Sequence, residues 1–165
     1  FQVLAAALAG RAGKSKDFIL DRLAKIREST EVIYTLETLE YLQRGGRIGR
    51  VQALAGMLLR IKPIIHVDKK DGKYSTLGKE RTVPKALETI ADHIVEKYGG
   101  QVPLWVTVLH GRFADQAERL ASLMKDRVNV AKLEILRISP VLGVHTGPGI
   151  VGLAVVPMEL MEGLE

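Results

Sequence analysis

The strongest constraint on this chain is a set of short β-branched runs separated by segments of helical period. EVIYTL at 31–36, LWVTVL at 104–109 and IVGLAVV at 150–156 read as strands. The last is apolar at every position, the pattern of a buried strand. Residues 62–67 and 73–81 flank the turn signal Asp68-Lys69-Lys70-Asp71-Gly72 and predict a hairpin. Residues 130–138 predict a further strand. Thr82 can cap a helix whose buried face is Leu87, Ile90, Ala91 and Ile94. A second helix over 113–127 turns Ala117, Leu120, Ala121 and Met124 inward. The expectation is an α/β fold, a layered mixed sheet of about six strands with flanking helices. The hairpin makes the sheet mixed rather than purely parallel.

The first thirty residues differ in character. Phe1 to Ala12 is rich in Ala and Leu and favours helix, and Gly13 breaks it. Ser15 can cap a second helix with Ile19, Leu23 and Ile26 on one face. Residues 1–30 are therefore expected to be a helical connecting segment, and 31–165 a single α/β lobe. The chain opens without Met inside an apparent helix, which suggests a piece of something longer. Gly13-Lys14-Ser15 invites a phosphate-loop reading, which fails. Leu8 stands where that loop needs its first glycine, and a helix precedes it instead of a strand.

Between Tyr41 and Ile65 two unlike stretches adjoin. A short helix is expected over Thr38 to Gln43, ended by Gly45 and Gly46. Arg44-Gly45-Gly46-Arg47-Ile48-Gly49-Arg50 then packs three cations among three glycines. Val51, Leu54, Ala55 and Leu58 make one apolar helical face, and Met57 adds to another. Two readings stay open. The helix is a central core element, or its second face lines a cavity where Met57 adapts to a flexible ligand. A cationic turn beside such a helix suits a ligand with a negative head and an apolar body, but it equally describes a turn with solvated arginines.

Composition narrows the classes. The net charge of +5 is moderate and scattered, which does not point to nucleic acid. No cysteine is present, so disulfide and thiolate chemistry are excluded; a cytoplasmic setting is expected. No apolar run approaches the ~18 residues a membrane span needs, so no stable membrane insertion is expected. No histidine pair has metal-ligand spacing, and no Gly-x-Ser-x-Gly elbow offers a nucleophile.

The second chemical stretch is Gly143-Val144-His145-Thr146-Gly147-Pro148-Gly149, before the apolar strand. His145 can donate to an acidic oxygen near neutral pH, and Thr146 adds a hydroxyl. The alternative is a Gly/Pro turn with an incidental histidine. His66 reads as a strand residue, His93 as an exposed helix residue, and His110 as the end of a strand. Arg81, in Lys79-Glu80-Arg81, either converges with Arg47 on one anionic region or decorates an exposed strand.

TLEYLQRGGRIGR, the apolar helix, IKPII, the hairpin with LGKERT, and HTGPG before GLAVV together closely resemble the DegV family, in the family's order from about Thr35 to Val156. The resemblance implies a bacterial fatty acid-binding protein of two α/β lobes, of which this chain carries the second and its connecting helices. It implies an acyl chain held between and within the lobes. It also implies presentation of the carboxylate to a separate ATP-dependent fatty acid kinase, which forms an acyl-phosphate used in lipid synthesis. The chain itself is then a carrier and not an enzyme, with no cofactor beyond the bound fatty acid and no nucleic-acid partner. By position, His145 and Thr146 fall near the head group. Arg47 and Arg81 match arginines linked to phosphoryl transfer and kinase engagement. Ile48, Leu54, Met57, Leu58, Ile61 and Ile64 are the candidates for the acyl pocket. The family's remaining carboxylate contacts lie in the first lobe.

The energetics agree. A sixteen-carbon acid has about fourteen methylenes at ~0.8 kcal/mol each when buried, roughly 11 kcal/mol of gross driving force. Association costs remove much of it. Two rival classes remain: a phospho-accepting protein using His145, and an anion-binding module using Arg44, Arg47 and Arg50.

Overall fold

A computed structural model of the chain describes residues 1–49, 51 and 61–164. The elements run α1 (Gln2–Arg11), α2 (Lys16–Ser29), β1 (Glu31–Leu36), α3 (Glu40–Arg44), β2 (Lys62–Val67), β3 (Tyr74–Glu80), α4 (Val83–Tyr98), β4 (Leu104–His110), α5 (Ala114–Arg127), β5 (Val130–Arg137), α6 (Pro140–Thr146) and β6 (Ile150–Pro157), then a 3-10 turn over Met158–Leu160. The expected α/β class holds. The strands form one six-stranded sheet in the order β3-β2-β1-β6-β4-β5. Only β4 and β5 pair in parallel; the other neighbours are antiparallel, so the sheet is mixed as expected.

The all-apolar strand β6 lies inside the sheet, between β1 and β4. Strand alternation divides its side chains between two faces. Val151, Leu153 and Val155 join Ile33, Ile64, Val106 and Val108 beneath α4 and α5, in the main core. Thr82 caps α4 by accepting from the Lys85 N–H, as its sequence position suggests.

The opposite face is covered in two separate parts. At the end where β1 begins, α1, α2 and the 3-10 turn cover Trp105 and Val156 with Ala5, Ala9, Ile26 and Met161. The helical hairpin is thus packed on the sheet. Its Gly-Lys-Ser segment serves as a cap, since the Ser15 hydroxyl oxygen accepts from the Phe18 N–H. At the end where β1 finishes, Leu39, Leu42, Ile48 and Val51 cover Tyr34, Leu36, Ile65 and Ile150. Between the two parts lies a strip that includes Val32 and Ala154, both only half-buried.

One polar clasp ties three elements together. Glu31, at the start of β1, is 5% exposed. Its carboxylate pairs with Lys97 of α4 and, at 2.7 Å, with Lys69 of the β2–β3 turn. His93 is half-buried rather than exposed, with Nε2 3.9 Å from the other Glu31 oxygen. The cause is its position on the flank of α4 that faces this carboxylate. Desolvation pushes the Glu31 pKa up, but Lys69 and then Lys97 outweigh it and hold the carboxyl below the usual range.

Candidate functional site

The two motifs singled out in the sequence meet on the face of the sheet opposite α4. β1 delivers the chain into α3, and β6 begins where α6 and its Gly-Pro-Gly turn end. Residue 37 is joined to that turn, its N–H donating to the Gly149 carbonyl at 2.9 Å. The turn is also anchored from β4, the Arg112 N–H donating to the Pro148 carbonyl at 2.7 Å and the Gly111 N–H to Ile150 at 3.0 Å. Gly147 adopts φ +78, and a Cβ there would lie 2.4 Å from the Tyr41 ring of α3. A side chain at this position is refused by both the backbone and the neighbour.

His145 occupies the last turn of α6. Its imidazole lies against the backbone of Gly45, so that a Cβ on Gly45 would stand 2.4 Å from Nδ1. That nitrogen is buried and has no hydrogen-bond partner among the described residues. A buried polar atom of this kind lacks the partner that such atoms ordinarily have. Thr146 is also buried, but its hydroxyl donates to the Leu142 carbonyl at 3.0 Å. It can accept a hydrogen bond as it stands and would have to rotate to donate one elsewhere.

Arg47 is exposed and its Nη1 donates to the Gly45 carbonyl at 2.8 Å. It borders a depression with Gly72, Lys73 and Tyr74, at the start of β3. Arg81 is exposed just past the other end of β3. At the usual rise per residue that is about 25 Å along the strand from Lys73. The structure therefore does not bring Arg47 and Arg81 to one pocket. Arg44 is paired with Glu40 at 2.5 Å, one turn back on α3, which engages one of the cations of the anion-binding alternative. Arg50 lies outside the described residues.

Beneath α6 is an apolar cavity of about 110 Å³. Tyr34, Tyr74, Leu109, Ile138, Leu142, Thr146 and Gly152 are among its walls. An open trough of about 520 Å³ runs beside it toward α1, floored by Val32, Val67 and Ala154 and edged by Phe1, Val3 and Arg27. The two share Val32 and Val67, so they form one path along the strip of sheet that the described helices leave uncovered. The outer side of α6 is apolar as well, with Val141 77% and Val144 68% exposed.

Of the expected acyl-pocket residues, Ile48 is buried in the cluster with Tyr34 and Ile65 on this face. Ile61 is half-buried just before β2. Ile64 is a correction: it is packed in the core under α4, and alternation along β2 gives its expected place to Ile65. Leu54, Met57 and Leu58 lie outside the described residues. Sequence reasoning missed Tyr34, Tyr74 and Leu142. The register Tyr34↔Gly152 was the available signal, since a large side chain opposite a glycine marks a cavity wall, but it needs the strand pairing to be seen.

Among the described residues, no group of three or more His, Asp or Glu is placed to hold a metal ion, and no helix is long and apolar enough to cross a membrane.

Comparison with known proteins completes the description. The model of the DegV family, described as uncharacterised proteins, matches residues 1–158. A DegV domain-containing protein of Deinococcus radiodurans is 38% identical over 157 residues, 95% of this chain and 55% of that protein. Among solved structures, a fatty acid binding DegV family protein from Streptococcus agalactiae matches with a TM-score of 0.84 at 30% identity, over 94% of this chain and 54% of that one. A DegV family protein from Thermus thermophilus, described for its fatty acid binding, gives 0.86 at 29% identity, over 94% and 55%. The chain spans about half the length of these relatives. The match runs through both glycine-rich motifs and the whole sheet, and the chain belongs to the DegV family.

Proposed function

We propose that this chain binds a long-chain fatty acid, with the carboxylate beside His145 and the hydrocarbon along the cavity and trough on the face of the sheet opposite α4. The observation that carries the reading is the partnerless, buried Nδ1 of His145 on the same helix that roofs an apolar cavity. Volume supports a shared site. Ligand pockets run from about 300 to 1,000 Å³, so a cavity of about 110 Å³ holds only part of a long acyl chain. The trough supplies the rest but is open to solvent, and a buried acyl chain needs a wall over it. The other half of the relatives' length is the natural source of that wall. In this reading residues 1–30 connect the halves and 31–165 form the second lobe.

The chain then acts as a cytoplasmic carrier. It presents the carboxylate to a separate ATP-dependent kinase, which forms the acyl-phosphate. His145 contributes a donor to the carboxylate, and Thr146 closes the cavity next to it. Arg47 and Arg81, being exposed and apart, suit contact with the kinase and its phosphoryl oxygens more than contact with the acid.

The test is mass spectrometry of lipid extracted from the purified full-length protein. A stoichiometric fatty acid, lost in His145→Ala or weakened about tenfold on re-addition, supports the reading. A protein that carries no lipid and takes up no added fatty acid overturns it.

A further inference from the structure

The helix that roofs the cavity is weakly built. α6 is seven residues long, too short to persist without packing. Its N-cap residue, Ser139, makes no side-chain hydrogen bond to it. Gly143 stands at its centre, in the helical region and not at positive φ. Among the described residues, a Cβ there would meet the Ile138 Cδ1 alone, at 3.7 Å, an ordinary contact. Neither the backbone nor the space calls for glycine, and alanine would make the firmer helix. The Thr146 hydroxyl donates back one turn to the Leu142 carbonyl, a bond that slightly weakens a helix.

The segment is pinned at its two ends. Before it, the Ile138 N–H donates to the His110 carbonyl at 2.9 Å. After it, the Pro148 and Gly149 carbonyls accept from the N–H groups of Arg112 and Glu37. Between these anchors, among the described residues, the backbone hydrogen bonds of 139–147 stay within the segment, with Leu142 and Gly143 donating to Ser139 and Gly147 to Gly143. Side chains hold it down: Leu142 and Thr146 line the cavity, and His145 rests against Gly45. Val141 and Val144 are exposed on its outer side.

The head group also needs a way in. A carboxylate arriving along the trough would cross a cavity with no charged side chain among its described lining residues, which is strongly unfavourable. Lifting α6 opens the cavity from the side, next to His145.

We propose that α6 is a lid. Residues 139–147 unwind about Gly143 and lift from the sheet to admit or release the acyl chain, then re-form over it and return His145 to the carboxylate. The inference rests on the fatty-acid reading above and adds how that site opens.

The experiment follows uptake and release by the delipidated full-length protein in stopped flow. The probe is an octadecatetraenoic acid whose conjugated double bonds fluoresce when buried, and excess albumin draws it off again. Gly143→Ala firms the closed helix, so association and dissociation should both slow about fivefold. Val144→Gly lies on the outer side, away from the cavity, and weakens the helix; both rates should rise about twofold. Amide hydrogen exchange of 139–147 in the delipidated protein should slow in Gly143→Ala and quicken in Val144→Gly, in step with the rates. Rates unchanged in both variants overturn the lid and leave the fatty-acid reading standing. So does a Gly143→Ala protein that loses affinity through faster dissociation, which would mean that the glycine makes room for the ligand. Failure of the unaltered protein to take up the acid overturns both.

Discussion

Gly45 and Gly152 each touch a neighbour at contact distance, yet the same substitution should act on them differently. A Cβ on Gly152 would stand 2.3 Å from the Ile33 carbonyl oxygen and 2.5 Å from the Tyr34 Cα. Both are backbone atoms of a paired strand and cannot move aside. Gly152→Ala should cost about 3 kcal/mol or more in urea unfolding. A Cβ on Gly45 meets chiefly the His145 ring, the end of a side chain. Gly45 has φ −78, which alanine accepts. Gly45→Ala should therefore displace the imidazole, costing about 1 kcal/mol of stability while weakening fatty acid binding as much as His145→Ala. Normal binding with an undisplaced histidine would contradict this placement of His145. If the proposed kinase partner is right, Arg47→Ala should leave fatty acid binding intact and reduce acyl-phosphate formation. Equal loss of both in a direct comparison would reject that division of roles. At this scale the sequence was legible where a motif is continuous: RGGRIG and HTGPG adjoin in the structure, His145 lying against Gly45. It was illegible where the site depends on which way a strand side chain points. Ile64 and Ile65 are chemically alike, and only the register of β2 assigns one to the α4 core and the other to the α3 side.

Among the elements, β1 is the most exacting to place, because its two ends are held by different chemistry. Its last residues are fixed by apolar packing under α3, while Glu31 at its start is fixed by Lys69 and Lys97. The carboxyl is held below its ordinary pKa, so the folded state binds its proton less readily than the unfolded chain. Its contribution is fully present above the ordinary carboxylate range and is lost as pH falls through the lowered folded value. Glu31→Gln should lower stability at neutral pH by about 1–3 kcal/mol and flatten the fall in stability on acidification. Urea titrations of both proteins across that range test it, and parallel curves would show that the clasp adds nothing. The strands and the helices α2, α4 and α5 were legible from their periodicity and caps. The clasp was not, because Glu31, Lys69 and Lys97 are far apart in sequence and each reads as an ordinary exposed charge. The same limit applies to α6, where a proline and several glycines masked a short helix that packing against α3 sustains.

Among the described residues, the sheet is finished on one face and unfinished on the other. α4 and α5 seal the first face. On the second, two groups of helices leave a strip that runs from Thr146 to Val3 and is apolar along its floor. The α/β class could be read from the alternation of segments. The strip could not, since it is defined by where the described helices do not lie. The central claim is that an acyl chain follows this strip from His145 toward α1. It is tested most directly by loading the full-length protein with a fatty acid bearing a diazirine near its tail, irradiating it, and mapping the crosslinked peptides. Labelling should fall on the segments containing Val32, Ala154 and Val67, and should move toward Leu142 as the diazirine is shifted toward the carboxylate. Stoichiometric labelling confined to residues outside this strip, or independent of the diazirine's position, would contradict the account.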